Sequence, residues 1–199
     1  MHNTGRCGME SAEEVTPNVL KWLGENAQED AWFLHINYWD PHMPSRAPVD
    51  FGNPFEDTPL PVHITDEWVE QITARIGFQM PHHKQRTYAR YAQGFFHGGI
   101  KQHVPPNPRC PTRIATLDDV RMIYDGYDCG VRYMDEHIGR LLSVLEEQGV
   151  LDDTMIIIST DHGENLGELG IFGDHVTADQ ITMHIPLIIK YPGGLHGHV

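Results

Sequence analysis

Residues 118–148 limit the possible folds more than any other stretch. Val120, Ile123, Tyr124, Tyr127, Val131, Met134, Ile138, Leu141, Leu142 and Leu145 recur at steps of three and four. That spacing gathers them on one stripe of a long helix, about 45 Å at 1.5 Å per residue, and such a stripe must be covered by other elements. Gly149 follows as the expected C′ residue. Beyond a short acidic turn comes TMIIIS (154–159), an apolar run of strand length, and PLIIKY (186–191) repeats the pattern before Pro192-Gly193-Gly194 stops it. AWFLHINY (31–38) reads as a third strand. Short apolar strands alternating with amphipathic helices predict an α/β fold with a mostly parallel sheet flanked by helices.

The rest of the chain is punctuated by proline. Ser11 and Glu14 form the pattern of a capping box, opening a helix through about Gln28 with Val15, Val19, Leu20 and Leu23 on one side and Pro17 in its first turn. Six prolines between 40 and 64 force a long loop, and a second Gly/Pro-rich loop spans 97–115. Helices are expected near 65–76 and 84–96. A formal net charge of −14 argues against a general nucleic-acid binder. No apolar run approaches the roughly 18–20 residues of a membrane span, so no membrane partner is expected. Cys7, Cys110 and Cys129 make no CxxC pair and imply no disulfide framework. MHNTGRCGMESAEE lacks the apolar core of a signal peptide. Localisation and oligomeric state stay open.

Polar chemistry collects at two strand ends, where ligands gather in open α/β sheets. Strand 31–38 runs into Trp39-Asp40-Pro41-His42, and strand 154–159 into Asp161-His162-Gly163-Glu164, with Asp174 and His175 soon after. Asp161 offers a hard oxygen suited to calcium or magnesium; His162 offers a nitrogen suited to zinc or a later transition metal. Gly163 permits the turn that lets neighbouring residues reach one ion. The same residues also suit a helix cap with a surface histidine.

Three segments carry a resemblance: WDPHMPSRAP (39–48), YMDEHIGRLLSVLEEQGVLDDTMIIISTDHGENLGELGIFGDH (133–175) and HIPLIIKYPGG (184–194). Together they closely resemble the sulfatases of the alkaline-phosphatase superfamily. The likeness implies a partial alkaline-phosphatase-like sandwich and hydrolysis of a sulfate ester, of a small molecule or a carbohydrate. It implies one Ca²⁺ held by Asp161 and His162 with two acidic residues from a first strand; many members have Asn where this chain has His162. It gives His42 the part of general acid or hydrogen-bond donor to the departing alcohol. A lysine that contacts sulfate in many members has no counterpart between His162 and Lys190. Counting back from Pro186 puts His175 in its place, and counting forward from Asp161 puts Asp174 there; His175 is preferred because a carboxylate would repel sulfate. Glu164 and Glu168 read as turn or supporting residues.

The family nucleophile, a formylglycine made from C-x-P-x-R or S-x-P-x-R, has no match. Cys7 precedes GMES, Cys129 precedes GVRY, Cys110 precedes PTR, and HMPSR (42–46) begins with histidine. Residues 1–199 are therefore expected to form the middle-to-late part of one catalytic domain. The nucleophile segment and the C-terminal subdomain would lie elsewhere, the isolated chain would turn over little or no substrate, and an apolar sheet edge would be left exposed. Two other readings are a zinc-dependent phosphodiesterase or phosphatase of the same superfamily, which W-D-P-H-x-P disfavours, and a truncated, non-catalytic product. Arg86, Tyr88, Arg90, Tyr91, Arg109 and Arg113 suit either a carbohydrate cleft or a solvated helix and loop.

Overall fold

The computed structural model describes residues 10–43, 45, 47–79, 95–96, 103–104, 109–111, 113–175 and 177–194. The expected helix at 84–94 lies outside them. Helix α1 (Ala12–Asn26) begins at the capping box: the Ser11 N–H donates to Glu14 Oε2 at 3.0 Å. Pro17 falls past the first turn, contrary to expectation. It removes the N–H that would meet the Glu13 carbonyl, and both residues are exposed, so that carbonyl is open to solvent rather than buried without a donor. A 3₁₀ turn at Val49–Phe51 and helix α2 (Asp66–Gln79) follow. Strands β1 (Phe95–Phe96) and β2 (His103–Val104) pair antiparallel, so the end of the expected 84–96 helix is strand.

Helix α3 (Leu117–Glu147) runs as its periodicity requires. Thr116 caps it, Asp119 Oδ2 accepts the Thr116 N–H at 2.8 Å, and Gly149 leaves it at φ 71°. Its stripe contributes to three small cores. Val120 and Ile123 join Met43, Ile64, Val69, Cys110 and Phe172; Cys129 and Tyr133 join Ala12 and Ala47; Leu141 and Leu145 join Val19 and Leu23 of α1 and Ala27 just after it.

After α3 come β3 (Ile156–Ser159), β4 (Asn165–Leu166), β5 (Phe172–Asp174), α4 (Gln180–Met183) and β6 (Leu187–Lys190). The α/β class holds, but the strand pairs among the described residues are antiparallel rather than parallel: β3 with β6, β4 with β5. A parallel return needs a crossover of a dozen or more residues, usually a helix. Here the described residues between β3 and β6 hold a 3₁₀ turn at Glu168–Gly170 and the four-residue α4, neither long enough for a crossover, so the excursion simply reverses. Nor are these strands covered on both faces: Ile157, Leu187, Ile188 and Ile189 are exposed. Segment 31–38 has no ladder partner among the described residues. It still alternates exposed and half-buried residue by residue, with Trp32, Leu34, Ile36 and Tyr38 against the α1–α3 core.

A buried polar chain crosses these elements. Tyr38 Oη lies 2.9 Å from Thr16 Oγ1, which lies 2.8 Å from His137 Nδ1. Burial, then the Arg140 charge, holds the His137 pKa below its ordinary value. The unfolded chain therefore binds the proton more readily, so the contribution of neutral His137 is present above about pH 6.5 and is lost as pH falls below it. Unfolding free energies measured between pH 7.5 and 5.5 are expected to fall less steeply for His137→Gln than for the unaltered chain.

Candidate active site

Three separate segments deliver the site. The first is the turn after segment 31–38. Asp40, fully buried, sets it: both carboxylate oxygens accept the Ala12 N–H at the start of α1, at 3.1 and 2.9 Å. The His42 N–H donates to the Trp39 carbonyl at 3.0 Å, and the two rings stack with centroids 4.1 Å apart. Helix α3 can pass beneath only because Gly130 has no side chain: a Cβ there would sit 2.7 Å from the Asp40 carbonyl oxygen.

The second segment is the turn after β3. Gly163 donates its N–H to the Thr182 carbonyl at 2.9 Å, and a Cβ on it would lie 2.1 Å from the Ile181 carbonyl oxygen. The Asp-His-Gly turn is thus docked on α4. Asp179 caps that short helix, accepting the Ile181 N–H at 2.8 Å and the Thr177 hydroxyl. The third segment is the end of β5, which carries His175.

These segments bring three of the four expected site residues together. One ring nitrogen each of His42, His162 and His175 lies within 4.8 Å of the other two. His162 and His175 stack at 3.6 Å, and His42 meets them edge-on at 5.9 and 5.3 Å. The fourth, Asp161, stands at the rim with its side chain 89% exposed and Oδ1 3.8 Å from His162 Nε2. Of the two candidates for the lysine place, His175 is the one whose ring joins the group. The Asp174 Oδ1 accepts the His175 N–H at 2.9 Å.

The imidazoles are oriented by their other nitrogens. His42 Nδ1 lies 2.7 Å from the Met43 carbonyl oxygen and His162 Nδ1 2.8 Å from that of Gly163. A carbonyl only accepts, so both Nδ1 atoms carry the proton and both Nε2 atoms keep a lone pair in the neutral ring. Burial lowers the His42 pKa, which favours that neutral ring. Glu164 lies behind, its side chain 4% exposed and Oε1 3.7 Å from His175 Nδ1. Burial raises its pKa, opposed by the His175 and His162 imidazoles. Trp39 as a ring platform and Asp40 as the clasp on α1 were not foreseen. The buried pairing of Asp40 with an N–H 28 residues earlier leaves no mark in a local motif.

The sequence matches the family model described as Sulfatase over residues 2–198. The chain belongs to the sulfatase family. It is 31% identical over 167 residues to the multifunctional alkaline phosphatase superfamily protein PehA of Trinickia caryophylli, covering 81% of this chain and 29% of PehA. It is 29% identical over 165 residues to human iduronate 2-sulfatase, covering 81% of this chain and 27% of that protein. Among solved structures, one in complex with its substrate D-glucosamine-2-N,6-O-disulfate superimposes at TM-score 0.61 and 21% identity, over 93% of this chain and 44% of that one. The last likeness shows the alkaline-phosphatase-like fold. This sulfatase chain thus spans 27–29% of the length of these two curated relatives.

Sulfatases are generally metal-dependent, and the donors here can be tested against calcium. Calcium takes about six to eight oxygen ligands. Asp161 has the right chemistry and the exposure to reach an ion at the rim, whereas the groups that converge most tightly are nitrogens. The fit to calcium is therefore confined to Asp161 with His162 beside it. The other oxygens would come from outside the described residues or from water.

Proposed function

We propose that these residues form part of a site for hydrolysis of a sulfate ester. The observation that carries the reading is the convergence of His42 and His175 beside the Asp161-His162 turn, with His42 arriving from a segment far from the other two in sequence. Asp161 and His162 would hold a calcium ion, whose charge would offset that of the sulfate oxygens. His175 contacts the sulfate as a hydrogen-bond donor, the part a lysine plays in many sulfatases. His42, packed on Trp39, protonates the departing alcohol oxygen. Its burial favours the neutral ring, and an incoming sulfate ester adds negative charge beside it, which favours the protonated donor. No residue of this chain is assigned the nucleophile.

The test is turnover by the whole gene product of a panel of sulfate monoesters, sulfated sugars included, beside the matching phosphate mono- and diesters. Sulfate esters are expected to be preferred. His42→Ala is expected to lower kcat by about 10²–10⁴-fold, with a larger loss for substrates with poor leaving groups. A preference for phosphodiesters would instead favour the zinc-dependent relatives of the superfamily.

A further inference from the structure

The donor chemistry of the three imidazoles points beyond a calcium site. Each has its Nδ1 directed to an acceptor: His42 to the Met43 carbonyl, His162 to the Gly163 carbonyl, and His175 towards Glu164 Oε1. The last two atoms lie 3.7 Å apart, buried and without a hydrogen-bond partner among the described residues. A backbone carbonyl or a carboxylate behind Nδ1 is the arrangement that orients metal-bound histidines and raises their basicity. It leaves the Nε2 atoms for a ligand. Nitrogen donors select zinc and the later first-row ions, whereas calcium wants oxygen.

We infer that His42, His162 and His175 form a binding site for a late first-row divalent cation such as zinc, with Asp161 or water as its fourth ligand. Three imidazoles and one oxygen suit a tetrahedral ion, with Zn–N of about 2.0–2.1 Å. The present separations, up to 4.8 Å, exceed the about 3.3 Å between ligands on one such ion, so binding draws the rings inward. Asp161, 3.8 Å from His162 Nε2 and exposed, is free to swing to the ion. The chain's net charge of −14 favours cation capture. The ion uses the imidazoles that a sulfate ester would contact and the Asp161-His162 turn that would hold calcium, so it excludes both; this exclusion rests on the sulfate-ester reading, while the metal site itself does not.

The experiment is equilibrium dialysis of the chain against zinc, with metal analysis, alongside the absorption spectrum of the cobalt(II) form. One tightly held equivalent is expected, unaffected by millimolar calcium, with cobalt giving the intense visible bands of a tetrahedral site. His42→Ala, His162→Ala and His175→Ala are each expected to weaken binding at least tenfold, while His35→Ala, an exposed histidine, leaves it unchanged. Zinc held equally by the triple variant, its displacement by calcium, or a weak octahedral cobalt spectrum of the unaltered chain would overturn the proposal. None of these readings requires turnover, so failure of the sulfate-ester reading is a separate result.

Discussion

Gly163→Ala is expected to destabilise the chain by about 3 kcal/mol and to dismantle the imidazole cluster. The added methyl would sit 2.1 Å from the Ile181 carbonyl oxygen. That neighbour is backbone, held in α4 beside the Thr182 carbonyl that Gly163 itself hydrogen-bonds, so nothing soft can yield. The Asp-His-Gly turn must lift off α4, carrying His162 away from its stack on His175. Urea unfolding measures the loss in stability, and zinc dialysis the loss of the cluster. Gly139→Ala is the control: it lies exposed on α3 with no atom within 4 Å of the added Cβ. Alanine there is expected to stabilise by about 0.5–1 kcal/mol, since it restricts the unfolded chain and favours helix.

Asp40→Ala is expected to cost about as much, roughly 3 kcal/mol, by a different route. The carboxylate is fully buried, accepts the Ala12 N–H with both oxygens, and brings a negative charge to the positive end of α1. Alanine leaves that N–H buried without an acceptor and frees the turn that presents His42. Asp40→Asn keeps one acceptor oxygen and gives up the charge, so its loss should be smaller. Thermal unfolding of the two variants checks the order. Equal losses would show that the charge contributes nothing at the helix end.

The helices of this chain are legible because their signals are local. The 118–148 stripe, the Ser11–Glu14 box and Gly149 each report on a few neighbouring residues, and α1 and α3 appear within two residues of their expected ends. Strand direction is not local. MIII and LIIK read equally well as parallel or antiparallel, and the choice is made by the 27-residue excursion between Ser159 and Leu187, whose turns and four-residue helix reverse the chain. The candidate site is legible only as residue types, because DHG and WDPH, each after an apolar run, carry chemistry in sequence. What holds them is not. The clasp of Asp40 joins it to an N–H 28 residues earlier, while the Trp39 stack on His42 and the buried Glu164 behind His175 join near neighbours through side-chain placements that no residue pattern marks.

Helix α3 threads all three small cores, from Val120 in the first to Leu145 in the last. None of these cores is large enough to be independent, and each shares one rigid element with the others. Local opening of any one must therefore fray or break a helix on which the remaining two depend. The cost is distributed along the whole element, so the helix acts as the cooperative spine of the molecule. The turn that presents His42 rests on that spine at Gly130, so it inherits the persistence of the helix rather than that of the loop that contains it.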